Sequence, residues 1–155
     1  ELARGDFDAV ITPVGGGGLI SGIVTGLCRN GSSIEVIGAE PLLGNDAARS
    51  LRAGRIVANE TEPTTIADGA RTISLGKLNW EIIKDSVADI IEVADEKIAE
   101  AVGMYFSLAN LKSEPTGALS LGAILNDPAR FAGRKVCIIV SGGNVDAAVY
   151  RELIG

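Results

Sequence analysis

The sequence predicts an α/β fold: an open, mainly parallel sheet with helices on both faces, giving three layers. Short apolar runs rich in β-branched residues alternate with longer stretches whose apolar residues recur at helical spacing. This alternation is typical of parallel strands joined by crossover helices. Four consecutive glycines follow the first apolar run, where a strand-to-helix turn is expected. The 155 residues, 46% of them hydrophobic, are enough for one domain.

Four strands are expected from the apolar runs, at residues 8–14, 35–40, 89–93 and 135–140. Six helices are expected from the helical spacing, at about residues 19–29, 46–52, 79–85, 95–108, 116–125 and 144–153. Pro115 separates the fourth helix from the fifth, because proline disfavours a helical residue before it. Residues 56–72 show no period and are predicted to form a long loop, a kind of segment that often carries function.

Composition argues against several classes of function. The net charge of −6 argues against nucleic acid or an anionic membrane as a partner. Histidine is absent from the sequence, which excludes Ser-His-Asp and histidine–metal chemistry within it. There is no run of about 18 apolar residues and no N-terminal leader pattern, so we expect a cytoplasmic location. Cys28 and Cys137 lack the spacing of a zinc site or a disulfide framework and are predicted to be small buried hydrophobes.

The segment VGGGGLISG, residues 14–22, is the strongest functional feature. Consecutive glycines have no side chains, so their backbone N–H groups can form a concave anion-binding site at a helix N-terminus. Phosphate is the ligand expected at such a site. The segment lacks the Gly-Lys-Ser/Thr of a Walker A loop and is a poor dinucleotide fingerprint. Glu40 ends the following strand, so the dinucleotide interpretation is weakened but stays open. A plain glycine turn is the other alternative.

A second glycine segment, Ser141-Gly142-Gly143, follows the last predicted strand. In an open parallel sheet, ligands lie beyond the carboxyl ends of the strands, so this segment and the first glycine run can face one cleft. Ser141 would offer that cleft a neutral hydroxyl. A helix cap formed by Ser141 or Asn144 is the simpler interpretation of this segment taken alone.

Acidic residues accompany three further turn signals. Glu40 and Asp46 flank a turn with backbone carbonyls between them, an arrangement that suits Mg²⁺ or Ca²⁺. Capping of the next helix is the simpler explanation for this pair. Residues 68–69 (Asp-Gly) and 114–115 (Glu-Pro) each join an acidic residue to a turn, and local turn chemistry alone would explain both.

Five motifs, GGGGLISG, GAEP, TIADG, SEPTGA and SGGNVD, occur in this order along the chain. In order and approximate spacing they resemble the threonine dehydratase and serine racemase family of fold type II pyridoxal-phosphate enzymes, over nearly the whole chain. The resemblance implies pyridoxal 5′-phosphate (PLP) as the cofactor. It also implies a small hydroxy amino acid as the substrate, which is either converted to a 2-oxo acid and ammonia or racemised.

The resemblance further implies roles for single residues. The cofactor phosphate would be bound by the backbone amides of Gly15, Gly16, Gly17, Gly18 and Leu19. The cofactor ring would lie beside Glu114, Ser141 and Gly142, with the Ser141 hydroxyl opposite the pyridine nitrogen. Thr72 would lie towards the substrate carboxylate. Mg²⁺ or Ca²⁺ would be held by Glu40, Asp46 and the carbonyl of Gly44.

The sequence departs from this family in two respects. It lacks the Ser-Phe-Lys-x-Arg-Gly type of segment that carries the cofactor-binding lysine, and it lacks the small domain. Residues 1–155 are therefore interpreted as the C-terminal portion of the PLP-binding large domain, with no catalytic residue in this chain. We expect the N-terminal half of the same enzyme as a partner, a homo-oligomer of the complete enzyme, and no activity from this chain alone. A non-catalytic phosphate- or nucleotide-binding α/β module is the alternative.

Overall fold

The structure, a computed structural model, describes residues 6–155 and contains one parallel sheet. Its strands are β1 (Ala9–Pro13), β2 (Glu35–Pro41), β3 (Asp89–Val93) and β4 (Val136–Ile138). They are arranged in the order β3-β2-β1-β4, and every neighbouring pair is parallel. The predicted α/β class and parallel sheet are confirmed. All carboxyl ends lie along one edge, which is where ligands bind in such sheets.

Seven helices connect or follow the strands. They are α1 (Gly18–Arg29), α2 (Asp46–Ala53), α3 (Lys77–Ser86), α4 (Asp95–Ala109), α5 (Pro115–Asn126), α6 (Pro128–Phe131) and α7 (Ala147–Ile154). Short 3-10 turns occupy residues 42–44 and 68–70. The second of these turns lies inside the predicted long loop. Since β1, β2 and β3 are each followed by a helix before the next strand, the crossover pattern expected from the sequence is the observed one.

The two faces of the sheet are covered by different helices. On one face, Ile11 of β1 packs in a cluster with Val102 of α4 and Leu119 of α5. On the other face, Val10 of β1 packs with Ile20 of α1 and with residues of α2 and α3. Successive strand residues point to opposite faces, so β1 is fully buried and supplies both clusters. These clusters are the two interfaces of a three-layer structure.

Several predictions made from the local pattern are wrong in detail. The helix predicted from residue 144 begins at Ala147, because Asp146 caps it by accepting hydrogen bonds from the N–H groups of Ala148 and Val149, at 2.8 and 3.3 Å. Helix α6 was not expected. Cys28 is exposed and Cys137 is half-buried, so neither is the buried hydrophobe that the apolar context predicted.

The β4 side of the sheet is less covered than the rest. Every residue of β4 is half-buried, although β1 beside it is fully buried. Helix α7 contains no buried residue. The β4 edge and α7 are therefore the surfaces of this fold that have the least packing.

Within residues 6–155, no helix is both long and apolar enough to cross a membrane.

Candidate cofactor site

The tetraglycine loop, residues 15–18, lies at the carboxyl end of β1 and leads into α1. Gly17 has a left-handed backbone (φ 89°) and stands at the N-cap of α1, where no side chain accepts from the helix. In the described part of the chain, the N–H groups of residues 15–19 donate to no backbone oxygen. Unpaired N–H groups at a helix N-terminus attract an anion, and the helix dipole adds to this attraction.

The loop is held from its other side by the start of α3. The Gly16 carbonyl accepts from the Gly76 N–H at 3.1 Å and from Asn79 Nδ2 at 2.7 Å. A Cβ built on Gly16 or on Gly18 would meet nothing within 4 Å. The loop therefore has a fixed carbonyl side and an open side, and the open side has room for a phosphate.

Thr72 lies next to the tetraglycine loop. A Cβ built on Gly15 would lie 3.6 Å from Thr72 Cγ2 and 3.0 Å from the carbonyl oxygen of Gly69. The Gly69 N–H in turn donates to Thr116 Oγ1 at 3.0 Å. The turn of residues 68–72 is thus packed between the tetraglycine loop and the start of α5.

Ser141 is brought to the same edge of the sheet by the pairing of β4 with β1. Ile11 is the register partner of Ile138, and the Ile139 N–H donates to the Ile11 carbonyl at 2.9 Å. Because adjacent strands are about 4.8 Å apart, the residues that follow both strands are neighbours. Ser141 is exposed at this edge. It does not cap α7, so the helix-cap interpretation is wrong for this residue.

Glu114 lies against the loop of residues 141–143. Its N–H donates to the Gly142 carbonyl at 3.1 Å, and a Cβ built on Gly142 would collide with the Glu114 carboxylate. A cavity of about 360 Å³ adjoins this contact and the 68–72 turn. Its polar lining comes from Asp68, Arg71, Glu114, Asn144 and Asp146. The structure therefore gathers the residues predicted for phosphate, ring and substrate along one edge.

Glu40 does not face a ligand in the manner of a ribose-binding carboxylate. It is 2% exposed, and its carboxylate oxygens accept from the N–H groups of Ala47 at 3.1 Å and Ala48 at 2.6 Å, which caps α2. Burial raises the pKa of Glu40 to about 8. With Glu40 occupied at α2, the dinucleotide interpretation loses the acidic residue on which it depended.

Asp46 is the second predicted metal ligand and is 1% exposed. Its Oδ1 accepts from Asn59 Nδ2 at 3.0 Å, whereas its Oδ2 has no partner in the described residues. Burial raises its pKa to about 6. Gly44 lies between the two carboxylates in sequence and packs on Pro63, since its Cβ would be 2.9 Å from Pro63 Cγ.

Carboxylate and carbonyl oxygens are the kind of ligand that a hard cation prefers. Both acidic side chains are buried, the Asp46 charge adds to the rise in the pKa of Glu40, and Asp46 Oδ2 has no hydrogen-bond partner among the described residues. Within residues 6–155, no group of three or more acidic, thiol or imidazole side chains is placed so that it could hold a metal ion. A cation here would therefore depend on two carboxylates and on backbone oxygen.

Three residues with contacts at this edge were not singled out from the sequence: Asn59, Asn79 and Thr116. Asn79 holds the tetraglycine loop, Thr116 holds the 68–72 turn, and Asn59 contacts both Asp46 and that turn. Thr116 lies inside the SEPTGA motif, so its motif was a usable signal. Asn59 and Asn79 lie in segments where one polar residue among many gives no local signal.

A glycine anion site and a hydroxyl-bearing loop at neighbouring ends of parallel strands define an α/β protein suited to a phosphorylated cofactor. The family model described as "Pyridoxal-phosphate dependent enzyme" matches residues 1–142. The chain belongs to this family of PLP-dependent enzymes.

Individual relatives are lyases and racemases. The chain is 40% identical over 150 residues to the L-threo-3-hydroxyaspartate ammonia-lyase of Pseudomonas sp, covering 97% of this chain and 47% of that protein. It is also 40% identical over 150 residues to the serine racemase of Schizosaccharomyces pombe, covering 97% and 46%.

Solved structures give the same result. The T.th. threonine deaminase superposes with a TM-score of 0.86 at 42% identity, covering 90% of this chain and 45% of that one. Maize serine racemase superposes with a TM-score of 0.87 at 38% identity, covering 95% and 46%. The chain spans about half the length of the relatives that it matches.

Proposed function

We propose that this chain supplies the phosphate and pyridine-nitrogen sides of the PLP site in an enzyme acting on a small hydroxy amino acid. That enzyme either releases a 2-oxo acid and ammonia or interconverts the enantiomers of serine. The observation that carries the proposal is the placement of two glycine loops at adjacent strand ends, where the N–H groups of residues 15–19 donate to no backbone oxygen of residues 6–155. The named activities of the relatives support the substrate class.

Different residues of this chain would bind different parts of the cofactor and the substrate. The amides of residues 15–19 and the N-terminus of α1 would hold the phosphate. Ser141 would donate its hydroxyl hydrogen to the pyridine nitrogen as a neutral group, which leaves that nitrogen without a full positive charge. When bound, PLP supplies an electron sink for the substrate carbon. Glu114 would stand beside the ring, and Thr72 would contact the substrate carboxylate.

The net elimination balances without an external oxidant or reductant. The amino acid loses its Cα proton and its β-hydroxyl as water, and addition of water to the resulting imine releases ammonia and the 2-oxo acid. Racemisation only removes the Cα proton and returns it to the opposite face. Both reactions need a base at the substrate carbon, and we propose that the lysine of the N-terminal half is that base.

The N-terminal half of the enzyme is the partner that this proposal requires. We propose that it covers the least packed part of the fold, the half-buried β4 and helix α7. Burying such apolar surface would stabilise the assembly, because each Å² of apolar surface removed from water contributes about 25 cal/mol. The complete enzyme is proposed to be a homo-oligomer.

We further propose Mg²⁺ or Ca²⁺ as a second ligand, held by Glu40, Asp46 and the carbonyl of Gly44. The buried Asp46 oxygen without a partner supports this proposal. Adding either cation should raise the melting temperature of the assembled protein, and the rise should disappear in Asp46→Asn. Equal melting temperatures with and without cation would refute the metal site and leave the PLP proposal standing.

Coexpression of this chain with the N-terminal half tests the main proposal. The assembled protein should carry PLP in a lysine adduct that borohydride reduces, and it should produce pyruvate or D-serine from L-serine. Assays for both products distinguish lyase from racemase. An assembly that takes up no PLP but binds a nucleotide tightly would contradict the proposal and favour the non-catalytic phosphate- or nucleotide-binding module.

A further inference from the structure

The side chain of Asn59, in the loop after α2, joins two parts of the candidate site. Its Nδ2 donates to Asp46 Oδ1 at 3.0 Å and to the Thr72 carbonyl at 3.1 Å. Its Oδ1 accepts from Arg49 Nη2. A carboxamide has two donor hydrogens, and both are used here on different segments of the chain.

The backbone of Asn59 makes a second link to the same turn. Its N–H donates to the Ile73 carbonyl at 2.8 Å. The carbonyls of Thr72 and Ile73 are therefore both held by one residue. Because two bonds to consecutive carbonyls fix direction as well as distance, Asn59 sets the place where the 68–72 turn ends.

The position of this turn matters for the phosphate loop. The Gly69 carbonyl would lie 3.0 Å from a Cβ on Gly15, so the turn and the tetraglycine loop are already in close backbone contact. The Asn59 Nδ2 group that donates to the Thr72 carbonyl also donates to Asp46, whose Oδ2 has no partner in the described residues. A continuous set of contacts thus runs from Asp46 through Asn59 and the turn to Gly15.

We propose that Asn59 is a positioning residue that fixes the 68–72 turn against the tetraglycine loop and ties its position to the Asp46 carboxylate. The proposal rests on the proposed function in one respect, the placement of Thr72 towards the substrate. Asn59 acts through Thr72 and Asp46 and not by contact with the reacting atoms.

The test is Asn59→Asp in the assembled enzyme, since aspartate keeps the shape of the side chain and removes both donors. Loss of these hydrogen bonds should raise KM about fivefold to tenfold, while kcat changes less than about twofold. Amide hydrogen exchange of residues 68–73 should accelerate.

Control variants separate positioning from general loosening of the loop. Thr61 is exposed on the same loop, and Thr61→Ala should leave KM and exchange unchanged. Asn59→Ser keeps one donor and should give an intermediate KM. If Asn59→Asp does not fold, Arg49→Met replaces it, because this change removes the donor to Asn59 Oδ1 and should also accelerate exchange at residues 68–73.

Unchanged exchange and KM in Asn59→Asp would overturn the proposal. Exchange at residues 68–73 can be measured on the assembled protein whether or not it carries PLP. A protein without PLP therefore refutes the proposed function, whereas the exchange data still decide the role of Asn59.

Discussion

The two glycine loops lie at neighbouring strand ends and use glycine for different reasons. In the tetraglycine loop, Gly17 needs glycine for its left-handed backbone, and the space beside Gly16 and Gly18 is open. In the loop of residues 141–143, no glycine has a positive φ, but a Cβ on Gly142 or Gly143 would collide with neighbouring atoms. The first loop has open space beside two of its glycines, whereas the second packs against protein at both of its glycines.

From this difference we interpret the tetraglycine loop as a binding surface and the loop of residues 141–143 as a structural support for Ser141. The open side of the tetraglycine loop can accept an anion, because within the described residues no backbone oxygen takes up its N–H groups. The second loop is pressed onto Lys112 and Glu114, and it thereby presents Ser141 at a fixed place. Substitutions in the two loops should consequently change stability and cofactor affinity in different proportions.

Gly17→Ala should have the largest effect. Alanine at a left-handed position is strained, and its Cβ would lie 2.8 Å from Ile83 Cδ1. Strain and overpacking together should lower the free energy of unfolding by about 2–4 kcal/mol. Urea unfolding of the assembled protein measures this loss. Gly16→Ala is the matched control, and a loss as large as that of Gly17→Ala would contradict the distinction between the two positions.

Gly143→Ala should follow in size. Its Cβ would lie 2.6 Å from the Lys112 carbonyl oxygen, which belongs to the backbone and cannot rotate away. We expect a loss of about 1–3 kcal/mol in the free energy of unfolding, measured in urea. An unchanged midpoint would show that the second loop is not packed as a support.

Gly142→Ala should separate stability from binding. The atoms that its Cβ would meet belong to the Glu114 carboxylate, at the end of a flexible side chain that can rotate away. The free energy of unfolding should therefore change by less than about 1 kcal/mol. PLP affinity, measured by fluorescence titration, should fall more than it does in Glu114→Gln. Equal affinity in Gly142→Ala and the unmodified protein would refute the ring-side assignment.

Ser141→Ala should have the smallest effect on stability. The side chain is exposed, so the change in unfolding free energy should stay within about 0.5 kcal/mol. Loss of one hydrogen bond to the cofactor should weaken PLP binding about twofold to tenfold. Ser141→Thr keeps the hydroxyl and should retain most of the affinity. An absorbance titration with the same Kd for all three proteins would contradict the proposed contact with the pyridine nitrogen.

Much of the fold could be predicted from local pattern. The four strands are apolar runs, and β3 has the predicted bounds, because strand and helix periods are properties of adjacent residues. The start of α7 was mispredicted, since Ser141, Asn144 and Asp146 are all good caps and only the tertiary position of the chain selects Asp146. The tetraglycine loop was identified because its signal is continuous in sequence.

The sequence by itself determined the α/β class, the two glycine loops and, through five ordered motifs, the family of this chain. Only the tertiary structure decided that Glu40 caps α2, that Gly69 bonds to Thr116 47 residues away, and that Asn59 joins Asp46 to the 68–72 turn. The physical reason is the separation along the sequence between the residues that interact. Periodicity and turn chemistry act between neighbouring residues, whereas these hydrogen bonds form between segments that come together only when the sheet is assembled.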